Sequence, residues 1–211
     1  MKIFLIVFCL LLEVVPASAQ VSFIYDQQSS TNNTANLVPT ANFSLGSSIG
    51  QSFTPSLASI DFVRLRFYNS GGRQQRSASG TIYVNLWSGG ISNGVLLAAT
   101  APVFLSLSPL QVPDTTDFFF QESAALNSGG VYYLQPIINP QVGSLTPEIF
   151  IPPFNPGTYA GGTLLVNGVV YPQYDLWFRE GLIVVPEPAS ARLLLVTILG
   201  LAAIRHKTKP G

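Results

Sequence analysis

The run DFVRLRFY, from Asp61 to Tyr68, alternates polar and apolar residues, and TIYVNLW, from Thr81 to Trp87, does the same. A period of two belongs to a strand with one buried face. Between Gln20 and Val184 no stretch long enough for a helix carries apolar residues at helical spacing. Short alternating runs bounded by Gly, Pro, Asn and Ser recur instead, which predicts an all-β fold, an antiparallel β-sandwich of jelly-roll-like type. In the first run Val63, Leu65 and Phe67 are expected inside, with Arg64, Arg66 and Tyr68 outside. In the second, Ile82, Val84 and Leu86 face in, and Thr81, Tyr83, Asn85 and Trp87 face out.

Further strands are predicted at VSFIY (Val21 to Tyr25), IGQSFT (Ile49 to Thr54), VLLAAT (Val95 to Thr100), VFLSL (Val103 to Leu107), DFFFQ (Asp117 to Gln121) and VYYLQ (Val131 to Gln135). DLWFR (Asp175 to Arg179) and LIVV (Leu182 to Val185) read as two more. TLLVNGVVY reads as a hairpin, because Asn167-Gly168 supplies two positions that accept positive φ. The stretches Gln27 to Thr34, Asn69 to Gly80 and Pro136 to Pro156 read as connections.

The two ends differ from this body. The start has Lys2, an apolar run from Ile3 to Leu12, and then Ala17-Ser18-Ala19 before Gln20, the pattern of a secretory signal cleaved after Ala19. Ten apolar residues are too few to span a membrane, which takes about 20. With residues 1–19 removed the chain loses Cys9, its one cysteine, so the body has no thiol for disulfide, nucleophile or metal. It must be held by its core, and 20–184 is long enough to build one.

At the other end Pro186-Glu187-Pro188 interrupts regular structure, and Ala189 to Ile204 is apolar apart from Ser190, Arg192 and Thr197. Arg205, His206, Lys207 and Lys209 follow, positive charge of the kind that stays on the cytoplasmic side of a membrane helix. The run Val185-Pro186-Glu187-Pro188-Ala189-Ser190, one apolar segment and a basic tip that includes Arg205 and Lys207 together resemble the PEP-CTERM sorting signal, here residues 185–211. That family comprises exported proteins of Gram-negative bacteria that make extracellular polysaccharide. The resemblance implies an exosortase as partner, transient residence in the inner membrane through the C-terminal helix, and delivery to the cell surface or extracellular matrix. IGQSFTPSLASIDFVRLRFYNSGG with TIYVNLWSGGISNGVLLA is also similar to the choice-of-anchor type domains, β-sandwiches that stand upstream of surface-sorting signals.

Between Gln20 and Glu187 there are five basic and nine acidic residues, a net of −4, where the whole chain is neutral. A mildly acidic body argues against nucleic-acid binding. It also lacks histidine, since His206 lies in the tail. Triads, Cys–His pairs and ordinary zinc sites are therefore excluded, and no cofactor is expected. Asp114 and Asp117 in PDTTDFF lack the density of oxygens of a calcium loop and read as a turn and a strand start. The reading is a non-enzymatic protein with a structural or adhesive role. A carboxylate-pair hydrolase and a self-assembling protein-binding module are the alternatives.

The candidate binding face is the outside of the two clearest strands. If they pair, Arg64, Arg66, Tyr68, Tyr83, Asn85 and Trp87 share one sheet face, with rings to stack on sugars and polar groups to hold hydroxyls or carboxylates. Arg73 and Arg76 in the intervening loop would attract an acidic polysaccharide.

Overall fold

The computed structural model describes residues 21–29, 48–69, 77–108, 114–143, 145–147, 149–150 and 159–185. The chain divides into a unit of Phe23–Ile183 and a unit of its two ends, Met1–Ser22 with Val184–Gly211. Of the second, only the residues flanking the first are described, and Val185 there is 62% exposed. The signal-peptide and sorting-helix segments lie outside the described residues.

Fourteen strands are described, and none of the described residues is helical. They are β1 (Ser22–Ser29), β2 (Ile49–Phe53), β3 (Ser59–Asn69), β4 (Ala78–Ser88), β5 (Val95–Ala99), β6 (Val103–Leu107) and β7 (Asp114–Ala125). Then come β8 (Tyr132–Val142), β9 (Leu145–Pro147), β10 (Ile149–Phe150), β11 (Leu164–Val166), β12 (Val169–Tyr171), β13 (Asp175–Leu176) and β14 (Phe178–Val184). A smaller sheet runs β1-β14-β3-β7, with β9 along the far end of β3. A larger one runs β12-β11-β2-β8-β4-β5, with β6 following β5 along the same side of β4. β10 and β13 form a short ladder of their own. Every ladder of defined register is antiparallel.

The alternation in the sequence is the alternation of burial. Val63, Leu65 and Phe67 from β3 and Ile82, Val84 and Leu86 from β4 are all buried in one core cluster. Phe53 and Leu134 of the larger sheet and Phe118 and Phe178 of the smaller complete its centre, each at 0% exposure. Burial of each such side chain stabilises the fold by roughly 1.5–3 kcal/mol, with no disulfide among the described residues to help. A second cluster of Ile49, Leu164, Val166 and Leu176 lies under the Asn167-Gly168 hairpin. Asn167 and Gly168 have φ of 50° and 78°, as that turn demands. Between β5 and β6 the edges of the two sheets meet: Thr100 N donates to Val84 O (2.9 Å), and Ala101 N donates to Phe119 O of β7 (3.1 Å).

Five expectations are corrected. β3 and β4 are not neighbours: β3 pairs with β7, β14 and β9, and β4 with β8, β5 and β6, in different sheets. DLWFR and LIVV form two strands, but they divide at Trp177 rather than between Arg179 and Leu182, and β14 runs unbroken through Gly181. A Cβ there would stand 1.8 Å from Ile24 O, so glycine is present to let β1 approach. Pro136 to Val142 is strand, not connection. Along β8, β2 pairs only with Tyr132–Leu134, so Pro136 and Pro140 face a side of β8 that needs no donor. Finally, β1 reaches Ser29, and Asp114 already belongs to β7.

Candidate functional site

The six residues expected on one face are split three and three. Arg64, Arg66 and Tyr68 lie on the smaller sheet; Tyr83, Asn85 and Trp87 lie on the larger.

Cross-strand partners share a face, so Arg64 and Arg179, directly opposite each other, both project from the outside of the smaller sheet. Arg64 grips Asp117 with two nitrogens: Nε donates to Oδ1, and Nη2 to Oδ2 at 2.8 Å. Its Nη1 donates to Tyr25 Oη at 2.7 Å, and the guanidinium lies 5.0 Å from the Phe23 ring. Arg66 and Arg179 stand over Trp177 at 5.9 and 5.2 Å, and Arg179 also over Tyr25 at 5.1 Å. Phe62, outward by alternation, is nevertheless at 0% exposure, packed edge-on against Phe23 at 4.8 Å. Tyr68 is only 5% exposed. This face is a cross-braced layer in which Arg64 is committed to its neighbours, and Tyr68 is not presented to a ligand.

The larger sheet is different. Trp87 of β4 stands between Leu96 of β5 and Tyr133 of β8, and Tyr133 stands opposite Ser52 of β2. In the next row Asn85 faces Gln135, and in the next Tyr83 faces Ile137. All the β4 and β8 members of these rows are half-buried. Trp87 Nε1 donates to Gln135 Oε1 at 2.9 Å, and Gln135 Nε2 donates to Ser48 Oγ at 2.9 Å. Ser48 lines a cavity of about 170 Å³ with Gly89, Gly90, Ile91, Ser92, Asn93, Leu165 and Gly168. Ile91 reaches over Gly50: a Cβ on Gly50 would meet Ile91 Cδ1 at 2.1 Å.

Charge divides sharply between the sheets. Among the described residues, Asp26 is on β1; Asp61, Arg64 and Arg66 on β3; Asp114, Asp117 and Glu122 on β7; Asp175 on β13; Arg179 and Glu180 on β14. The strands of the larger sheet carry no Asp, Glu, Lys or Arg, and neither do the described turns joining them.

Carboxylates also enter the interior. Glu180 lies opposite Val63 on the core side of β14 at 0% exposure, and neither of its oxygens meets a hydrogen-bond partner among the described residues. Burial, and then the negative charge of Asp26, push its carboxyl up to about 8; the nearby Gln27 amide pulls weakly the other way. Asp175, 1% exposed, accepts from Gln51 Nε2 at 2.8 Å and from Tyr159 N at 2.9 Å. Burial still raises it against these bonds. Asp26 goes the other way: burial would raise it, but Ser56, Leu57 and Gln27 all donate to it and hold it low. No group of three or more potential ligands for a metal occurs among the described residues.

The sequence reading missed Tyr133 and Gln135, although alternation in VYYLQ already set them opposite Tyr132 and Leu134. It missed Phe23, Tyr25, Trp177 and Arg179 because their partner, β3, is distant in the chain. Of the sorting and cleavage residues, Val185 is described; Ala17, Ala19, Gln20, Pro186, Glu187, Pro188, Ala189, Ser190, Arg205 and Lys207 lie outside the described residues. The chain matches no family model and no curated protein.

Proposed function

We propose that this is an exported, exosortase-sorted protein of the bacterial surface or extracellular matrix, a jelly-roll-like β-sandwich with a structural or adhesive role that contacts polysaccharide. The signal-like start (Lys2, the apolar run Ile3 to Leu12, Ala17-Ser18-Ala19) and the tail's resemblance to a sorting signal support the route. The observation that carries the contact is the outer face of the larger sheet, where Trp87 and Tyr133 lie in one row and Asn85 and Gln135 in the next. The C–H face of a sugar ring is apolar and lies flat on an indole, while its rim of hydroxyls needs groups that both donate and accept, as amides do. Arg64, Arg66 and Tyr68 are withdrawn from the contact, because their face is bound into its own sheet. Co-sedimentation of the purified protein with extracellular polysaccharide from a producing strain tests this, with Trp87→Ala as control. Binding that is lost in the variant supports the reading; binding that Trp87→Ala leaves unchanged refutes the face.

One observation favours a second reading, self-assembly. Edge strand β5 exposes Val95, Leu96 and Leu97 in succession, without charge or proline to discourage pairing with another chain. Sedimentation that depends on protein concentration in the absence of glycan would point there.

A further inference from the structure

Resting on the polysaccharide reading, we infer that the ligand is an electrically neutral glycan, with one ring stacked on Trp87 and an adjoining part of the chain seated in the cavity beside Ser48. Three observations converge on this. The first is charge. The sheet that carries Trp87 has no cation in its strands or described turns, so a polyuronate or sulfated chain laid on it would lose water from its anions and meet no counter-charge from these strands and turns; Arg73 and Arg76, between β3 and β4, lie outside the described residues. Of the described cations, Arg64, Arg66 and Arg179 all stand on the other sheet, where they lie over aromatic rings and Arg64 grips Asp117.

The second is the hydrogen-bond chain from Trp87 through Gln135 to Ser48. Trp87 has only a donor, so Gln135 turns its oxygen to the indole and its nitrogen to Ser48. Ser48 Oγ, receiving that bond, keeps its own proton to give in the cavity it lines. Gln135 retains one N–H and one lone pair. These are neutral, two-way groups, matched to hydroxyls and poorly matched to carboxylates.

The third is size. At about 170 Å³ the cavity is well below the roughly 300–1,000 Å³ of sites that engulf a whole small molecule. It suits one ring or part of one, on a chain that continues across the open strand face. Its lining combines the apolar Ile91 and Leu165 with the hydroxyls of Ser48 and Ser92 and the amide of Asn93. Gly50 makes room for Ile91, so Gly50→Ala pushes Ile91 toward the cavity.

The test is affinity electrophoresis of the full chain through gels containing neutral glucans, mannans and galactans, or alginate as the acidic probe, at low and high salt. The expected result is retardation by a neutral glycan that is the same at both salts. It should be weakened about tenfold or more by Trp87→Ala and several-fold by Ser48→Ala and Gly50→Ala, with unchanged circular dichroism. Retardation by alginate alone, abolished by salt and indifferent to Trp87→Ala, overturns the neutral-ligand inference and leaves polysaccharide contact standing. Retardation by none of the probes, combined with failure to co-sediment with the producer's polysaccharide, overturns both.

Discussion

Replacing Glu180 by Gln should make the protein more stable, and only above mildly acidic pH. The carboxyl is fully buried opposite Val63, with no hydrogen-bond partner for either oxygen among the described residues, and burial pushes it up from 4.5 to about 8 against the weak pull of the Gln27 amide. Between those values the native state holds a proton that the unfolded chain has released, so the native state binds more protons and stability falls as pH rises. The contribution is intact below about pH 4.5 and fully lost above about 8. At about 1.4 kcal/mol per pH unit, the gap between 4.5 and about 8 comes to roughly 5 kcal/mol. Gln has nearly the shape of the protonated acid and cannot ionise. Urea unfolding of both proteins from pH 5 to 9 should give similar stabilities at the acid end, then a difference that widens to several kcal/mol. Asp175 is also raised by burial, but it is common to both proteins and cancels in the comparison. Asp26 is held low, so its contribution is lost only as pH falls below the usual aspartate range, outside this window. A difference that does not change with pH, or a variant weaker than the parent at pH 9, would refute the buried-acid argument.

Arg64→Lys keeps the charge but loses the fork on Asp117 and the stack on Phe23; it should cost about 1–2 kcal/mol by chemical denaturation, and an unaltered midpoint would mean that the fork is idle. Gly181→Ala should dislodge β1, because the new methyl collides with Ile24 O; hydrogen exchange would show β1 amides losing protection before those of β4 and β8. Gly168→Ala strains a turn with φ of 78° at the sheet edge and should cost about 1 kcal/mol, a drop in Tm of about 2–4 °C.

Strand identity and facing were legible because alternation is local. Val63, Leu65, Phe67, Ile82, Val84 and Leu86 all point into the core as their spacing demands. Partnership was not legible, since a period of two says which side is buried and is silent on which strand lies alongside. Hence β3 and β4, consecutive in sequence, were expected to pair and lie in different sheets. The same limit governed the site. Asn85 and Trp87 were recognisable in their own strand, but Gln135 and Ser48 join them only through pairings 48 and 87 residues long. Glu180 fell between two expected strands; its burial is seen only once β14 pairs with β3 and sets it opposite Val63 on the core side.

The first strand of the body lies beside the last. β1 has β14 as its neighbour, and the contact of Gly181 with Ile24 spans nearly the whole unit. A ribosome or a translocation channel delivers the chain from its N-terminus, so β1 emerges first and must wait for almost every other residue before its partner exists. Such distant pairing is slow to form, and the smaller sheet stays incomplete throughout delivery. Under the proposed export, that delay would keep the smaller sheet from closing before the chain had crossed the membrane.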